Sequence, residues 1–160
     1  MGKKATKAAN NMYCQARYEA AETNSDFSSR EKASEILNMD RTRLANIELG
    51  NITPYPEEVY NMSEHYNTPE LCIAHCSMNC PIGMHTMSKI ELDDFDRLSL
   101  KVLGSLNSIE KIQNSLISIS EDGVVNDDEV EDFAEIINAL DRIASNATAL
   151  KLWATKNVKF

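Results

Sequence analysis

The sequence has few of the residues that interrupt helices and no long apolar run. Five glycines and four prolines occur in 160 residues, and aromatic residues make up 6% of the chain. Because sheet proteins with many tight turns use glycine and proline often, this scarcity favours helices. No segment approaches the roughly 18 apolar residues of a membrane span, and the first residues lack the apolar core of a secretion signal. We expect an all-α, cytoplasmic protein without a membrane partner.

The chain also lacks an excess of basic residues. Sixteen Lys and Arg residues oppose 25 Asp and Glu residues, which gives a formal net charge of −9 at pH 7. The imbalance is smaller up to Glu70, with eight basic and eleven acidic residues, than after it, with eight and fourteen. Such a charge repels nucleic acid and anionic lipid as a whole. Any contact with DNA must therefore be local.

The four cysteines do not follow the pattern of a secreted disulfide framework, because three are crowded together and Cys14 is distant. On a helix, the spacing of Cys72, Cys76 and Cys80 places the first two thiols on one side, where His75 could join them in a zinc site. The two-residue gap that is typical of zinc ribbons is missing. We interpret the cysteines as reduced core residues, with a zinc or thiol sensor as the alternative.

Apolar periodicity and capping residues divide the chain into four segments. We expect a flexible basic arm at 1–10, a helix-turn-helix domain at 11–80, a hinge at 81–94 and a helical hairpin at 95–160. Within the second segment, the expected helices cover about 11–22, 29–37, 41–49, 56–66 and 68–80. Pro81 ends the last of them, because proline disfavours α geometry in the residue before it.

The C-terminal segment is predicted to be two long helices joined by an acidic turn at 121–125. Each has a regular apolar face, formed by Phe95, Leu98, Val102, Leu106, Ile109, Ile112, Leu116 and Ile119 in the first and by Val130, Phe133, Ile137, Leu140, Ala144, Ala147 and Leu150 in the second. Asn126 caps the second helix, with Glu129 placed as in a capping box. Two helices cannot bury both faces alone, so we predict a homodimer through this hairpin.

No sequence motif for catalysis is present, so we assign no catalytic residue and expect no enzyme. Residues 118–129 partly fit a calcium loop, with Gly123 sixth and Glu129 twelfth. Ser118 and Ser120 stand where that loop has carboxylates, and an acidic turn explains the same residues. Apart from the zinc alternative, we therefore expect no cofactor.

Two short predicted helices, one before Asn38 and one after Asp40, are the ingredients of a helix-turn-helix that enters the major groove of DNA. The segment SSREKASEILNMDRTRLANIELGNITPYPEEVYNMSEHY resembles the helix-turn-helix of the phage Cro/repressor (XRE) family. Matching positions include Leu44, Glu48 of the Ile-Glu pair, Gly50 and Pro56. The family usually has Gly at position 38 and Leu-Ala at 33–34, where this chain has Asn and Ala-Ser. The resemblance extends over the whole chain to XRE-type regulators of bacteria and their prophages.

The resemblance implies a role for each polar residue around the second helix of the motif. Base edges would be contacted by Arg41, Thr42 and Asn46, and the DNA backbone by Arg30, Arg43, Asn51 and Thr53. Arg binds guanine O6 and N7, Asn binds adenine N6 and N7, and Thr contacts a thymine methyl. Arg17 and Glu48 fall where family members hold a partly buried ion pair.

The sequence thus predicts a transcriptional regulator, a repressor of phage or bacterial genes that binds double-stranded DNA at a pseudo-palindromic operator as a homodimer. The alternative is a protein-interaction adaptor that keeps the helix-turn-helix scaffold and binds a protein partner through its acidic hairpin. Net acidity favours the adaptor, and the ordered match from Ser29 to Tyr66 favours DNA binding.

Overall fold

A computed structural model describes residues 8–121 and 123–159, in which every regular element is a helix. The helices are α1 (Met12–Thr23), α2 (Arg30–Ile36), α3 (Arg41–Glu48), α4 (Pro56–Tyr66), α5 (Glu70–Asn79), α6 (Pro81–Thr86), α7 (Phe95–Leu106), α8 (Ile109–Ile119) and α9 (Val130–Asn157), with a short 3₁₀ helix at Ser25–Ser28. The predicted all-α class is confirmed. Within the described residues, no helix is both long and apolar enough to span a membrane.

The chain divides into two compact units, with the boundary between Met87 and Ser88. This boundary lies inside the segment 81–94 that the sequence predicts as a hinge. The first part of that segment is not irregular, because Pro81 occupies the first turn of α6, where a missing N–H costs nothing. The predicted basic arm lies outside the described residues for positions 1–7. Ala8 is buried, and its carbonyl accepts a hydrogen bond from the N–H of Asn11.

The core of the first unit is formed where α1, α2, α3, α4 and α5 pack together. Its fully buried members include Leu44, Ile47 and Met62. Phe27 lies between the first two predicted helices, where no element is expected, yet it is buried and meets Tyr66 edge to face, with ring centroids 5.1 Å apart. An isolated aromatic residue has no periodicity, which is why the 3₁₀ turn around it could not be predicted.

The second unit is an antiparallel arrangement in which α7 and α8 both pack along α9. The first predicted long helix is interrupted at Asn107 and Ser108, because Gly104 and two serines weaken it. The hydroxyls of Ser105 and Ser108 bond the carbonyls three residues earlier, which competes with the α-helical pattern. The α9 helix starts at Val130, one turn later than predicted, after a turn in which Glu129 accepts from the N–H of Asn126.

The predicted apolar faces of the hairpin are only partly the faces that pack within the chain. Leu98, Ile112 and Ile119 are buried as expected, and α9 buries Ile136, Ala139 and Ala149. Exposed members of the predicted faces are Phe95, Leu106, Ile109, Leu116, Val130, Ile137 and Leu140. For α9 the predicted face is wrong by one residue, because apolar residues stand side by side in this helix and periodicity alone cannot choose between them.

Candidate nucleic-acid interface

The helices α2 and α3 form a helix-turn-helix whose turn is built around Asn38. This residue adopts a left-handed conformation, with a φ of 48°. The N–H of Asn38 bonds the carbonyl of Glu35, and the N–H of Met39 bonds that of Ser34, a Schellman ending for α2. Asn tolerates this conformation better than other non-glycine residues, so a sharp turn forms here without a glycine.

Capping residues fix both ends of α3. The carboxylate of Asp40 accepts a hydrogen bond of 2.9 Å from the N–H of Arg43, which confirms Asp40 as the N-cap. At the other end Gly50 has a φ of 73°, and the N–H of Asn51 reaches the carbonyl of Asn46. These two capping residues limit α3 to eight residues.

A buried ionic cluster connects α3 to α1 and α2. Glu48 is fully buried; its Oε1 lies 2.5 Å from Nε of Arg17 and its Oε2 lies 3.0 Å from Nη2. Nε of Arg30 donates to the same Oε2 over 2.6 Å. Arg17 also donates to the carbonyl of Phe27. The predicted ion pair between Arg17 and Glu48 is present, and Arg30 is a second partner of the carboxylate.

Arg43 is held by groups that belong to the loop before α4 and to α4 itself. Its guanidinium donates to both carboxylate oxygens of Glu58, over 2.5 and 2.8 Å, and stacks on the ring of Tyr55 at 4.6 Å from the centroid. The hydrogen bonds from Arg43 hold the pKa of Glu58 below its ordinary value, and the N–H of Tyr55 adds to this effect. The pair is therefore ionised at neutral pH, and the charge of Arg43 is locally neutralised.

Arg41 and Thr42 lie exposed at the start of α3, as a base-contacting role requires. Within the part of the chain that the structure describes, Arg41 takes part in no ion pair. Asn46 is half-buried, and its Oδ1 accepts a bond of 3.0 Å from Nδ2 of Asn51. One oxygen lone pair and both amide hydrogens of Asn46 remain for a base. Thr53 is exposed in the loop before α4.

The ion pairs change the charge that this surface offers to DNA. Glu48 carries one negative charge between Arg17 and Arg30, so the cluster keeps one net positive charge. Arg30, whose side chain is 29% accessible, is the part of the cluster that reaches the surface. The pairs of Arg43 with Glu58 and of Lys32 with Asp26 are neutral. The positive potential of the motif therefore comes mainly from Arg41 and from the end of the buried cluster.

Sequence reasoning did not identify Tyr55 and Glu58 as neighbours of the recognition helix. Tyr55 is 63% exposed, and its ring lies against the guanidinium of Arg43, a residue of α3. The signal was the Pro-Tyr-Pro segment, whose prolines keep an aromatic side chain out of a helix. The pairing of Glu58 with Arg43 spans fifteen residues and has no local signature.

The cysteines lie apart from this surface, and all four are free thiols. Cys72 donates to the hydroxyl of Ser63 over 3.2 Å, and burial raises the pKa of the Cys14 thiol. Over residues 8–121 and 123–159, no three His, Cys, Asp or Glu side chains form a group suited to a metal ion. His75 instead contacts Tyr13, with 2.7 Å between Nδ1 and the phenol oxygen. The zinc alternative stays a prediction that metal analysis of the purified protein would test.

Comparison of the chain with protein-family models, with curated proteins and with solved structures finds no match.

Proposed function

We propose that this protein is a sequence-specific DNA-binding regulator that contacts an operator through α3 and represses by occlusion. The observation that carries the proposal is the geometry of the motif. A short helix follows a tight left-handed turn, and its exposed first residues are Arg41 and Thr42. Major-groove recognition needs such a helix, with side chains near its N-terminus that reach base edges.

The buried cluster supports this role by making α3 rigid relative to α1 and α2. A carboxylate that accepts from two arginines resists rotation of either helix, because any movement would leave a charge unpaired in the core. A recognition helix held in this way loses little conformational entropy when it binds. We assign Arg41, Thr42 and Asn46 to the bases, and Arg30, Asn51 and Thr53 to the backbone.

Arg43 takes a different place in the proposal from the one expected for a free phosphate contact. Since its guanidinium is shared with Glu58 and Tyr55, it would approach DNA only as part of a neutral group. We propose that Arg43 chiefly orients Tyr55. The phenol hydroxyl of Tyr55 is then the candidate for the phosphate contact on this side of α3.

The regulator is proposed to act as a homodimer, because one half-site supplies little charge for affinity. Two copies double the base contacts and suit a pseudo-palindromic operator. The exposed apolar residues of α7, α8 and α9 support self-association through the second unit.

Selection of bound sequences from a random duplex pool at near-physiological salt tests the proposal. The wild type is expected to enrich one motif, and Arg41→Glu is expected to lose it, because a carboxylate would face guanine acceptors and phosphates. Arg97→Glu is the matched control, since it makes the same charge change on α7 in the second unit. Equal enrichment by the wild type and Arg41→Glu would contradict the proposal.

One observation favours the adaptor as the second candidate. Two of the three arginines that the sequence predicts at the DNA, Arg30 and Arg43, are already paired with carboxylates. An adaptor that binds a protein through the second unit would leave its partner bound after Arg41→Glu. Absence of any enriched duplex, together with an unaffected partner, would replace the regulator by the adaptor.

A further inference from the structure

The α9 helix has two apolar faces, and only one of them is covered within the chain. Its apolar residues come in adjacent pairs, so that Ile136 and Ala139 are buried against α8 whereas Ile137 and Leu140 are 44% and 42% exposed. Neighbouring helix residues point about 100° apart. A helix with two apolar faces at this angle belongs in a bundle, where it has a neighbour on each side.

The uncovered face, here called the outer face of α9, is formed by Val130, Ile137, Leu140, Ala144 and Ala147, all of them exposed. Their spacing of seven, three, four and three residues follows a heptad pattern. Contacts on the other side of α9 show which of its faces is covered within the chain. Nδ2 of Asn146 donates to the carbonyl of Lys101, and Trp153 meets Phe95 at 4.8 Å between ring centroids. The outer face is thus turned away from α7 and α8.

The charges of this region are segregated along the chain. From Glu121 to Asp141 there are nine acidic residues and no basic one, and from Arg142 to the last residue there are four basic residues and no acidic one. Two parallel copies of α9 would therefore place like charges side by side. Two antiparallel copies would place the acidic half of each against the basic half of the other.

The sizes of the side chains in the heptad pattern also favour antiparallel pairing of two α9 helices. When Leu140 of one copy is level with Ala144 of the other, Ile137 comes level with Ala147, and Val130 with Ala154. Each layer then joins one large and one small side chain, the combination that lets two helices pack closely without a void. Towards the ends, Lys156 comes level with Asp128 of the other copy, and Lys151 comes beside Asp132.

We propose that α9 pairs with α9 of a second copy in the antiparallel direction through this outer face, with the two-fold axis near Arg142. Leu103, Leu106, Ile109 and Leu116, which are exposed on α7 and α8, would line the same six-helix arrangement of two copies. The inference deepens the self-association in the proposed function and rests on it. Dimerisation is measured without DNA in each experiment, so a failure of this pairing is distinguishable from a failure of DNA binding.

The molar mass of the full chain in solution tests whether the outer face of α9 mediates dimerisation. Sedimentation velocity at roughly ten micromolar, with light scattering as a second readout, is expected to give a dimer for the wild type and a monomer for Leu140→Asp. Two buried carboxylates would face apolar layers of the other copy, and such groups are strongly disfavoured. Ile82→Asp, at a side chain that is 74% exposed in the first unit, is the matched control and is expected to stay dimeric.

Circular dichroism of Leu140→Asp separates dissociation from unfolding. Because Leu140 is exposed within a single chain, the variant is expected to keep the helix content of the wild type. A second variant, Ile137→Asp, should behave in the same way. A monomeric wild type, or a dimer that both aspartate variants leave intact, would overturn the proposal.

Charge exchange tests the direction of pairing. Lys151→Glu combined with Lys156→Glu is expected to weaken dimerisation roughly tenfold, because each surface ion pair contributes little and four of them become repulsive. Adding Asp128→Lys and Asp132→Lys to the same chain is expected to restore it, since each of the four pairs then again joins opposite charges. Loss without restoration would contradict the antiparallel direction.

Discussion

Glu48 is the residue on which the geometry of the helix-turn-helix depends most. Its carboxylate is buried without water access and balanced by Arg17 and Arg30. Removal of one partner from a buried ion pair leaves an uncompensated charge, which costs far more than the net contribution of the pair itself.

We therefore expect Arg17→Met to lower the free energy of unfolding of the first unit by about 3–5 kcal/mol. Arg30 is partly exposed, so water can replace much of its contribution, and Arg30→Gln should cost clearly less. Urea denaturation followed by circular dichroism measures both. Equal losses for the two variants would contradict the assignment of Arg17 as the main partner.

His75 makes the stability of the first unit depend on pH. The phenol oxygen of Tyr13 accepts a hydrogen bond from Nδ2 of Asn79 and lies 2.7 Å from Nδ1 of His75, so a neutral His75 ring can accept the phenol proton. Burial lowers the pKa of His75, which means that the folded protein disfavours the imidazolium. The stabilisation is present above the ordinary histidine pKa of about 6.5 and is lost as the pH falls through the lower folded value.

The urea midpoint of the wild type is accordingly expected to fall between pH 7.5 and pH 5.5. His75→Gln keeps a hydrogen-bond acceptor without a group that titrates, so its midpoint should change much less. The pKa of Glu58 is also lowered, but that carboxylate titrates below this range. If the urea midpoint of His75→Gln changed with pH as steeply as that of the wild type, the role of His75 would be refuted.

At the scale of the elements, the close approach of α5 and α6 depends on a glycine. A Cβ at Gly83 would lie 2.1 Å from the carbonyl oxygen of Cys76, a distance that requires the backbone to move. Gly104 in α7 has no atom within 4 Å of the same position. Substitution of the two glycines by alanine is therefore expected to change stability in opposite directions.

Gly83→Ala should destabilise the first unit by roughly 1–3 kcal/mol through overpacking. Gly104→Ala should stabilise the second unit by about 0.5–1 kcal/mol, because alanine loses less backbone entropy in a helix. Thermal or urea unfolding of both variants measures the difference. If Gly83→Ala leaves stability unchanged, the packing of α6 on α5 is not as described.

Local signals predicted the elements well where residues cap or end a helix. Asn11, Asp40 and Gly50 all act as their types indicate. Periodicity did less well where two apolar residues stand together, as at Ile136 and Ile137, since either can face the core. The ion pairs of Glu58 and Glu48 with arginines bring together residues that are fifteen or more positions apart, and no local pattern contains that information.

At the scale of the whole molecule, acidity is concentrated in the second unit, whereas the proposed DNA surface belongs to the first. Nine acidic residues lie between Glu121 and Asp141, and antiparallel pairing would offset part of their charge with the basic residues that follow in the second copy. The proposed dimer thus gives a partner to the exposed apolar face and to part of this acidic segment. It also explains why a weakly basic motif needs two half-sites for useful affinity.

The most direct test of the central claim is the dissociation constant of a selected duplex at about 150 mM salt, measured for the wild type, Arg41→Glu and Leu140→Asp. We expect a loss of roughly thirtyfold or more for Arg41→Glu, since each base contact is worth about 1–3 kcal/mol and the proposed operator has two. Leu140→Asp should bind as weakly as a single half-site. Equal constants for the wild type and Arg41→Glu would contradict recognition of DNA through α3.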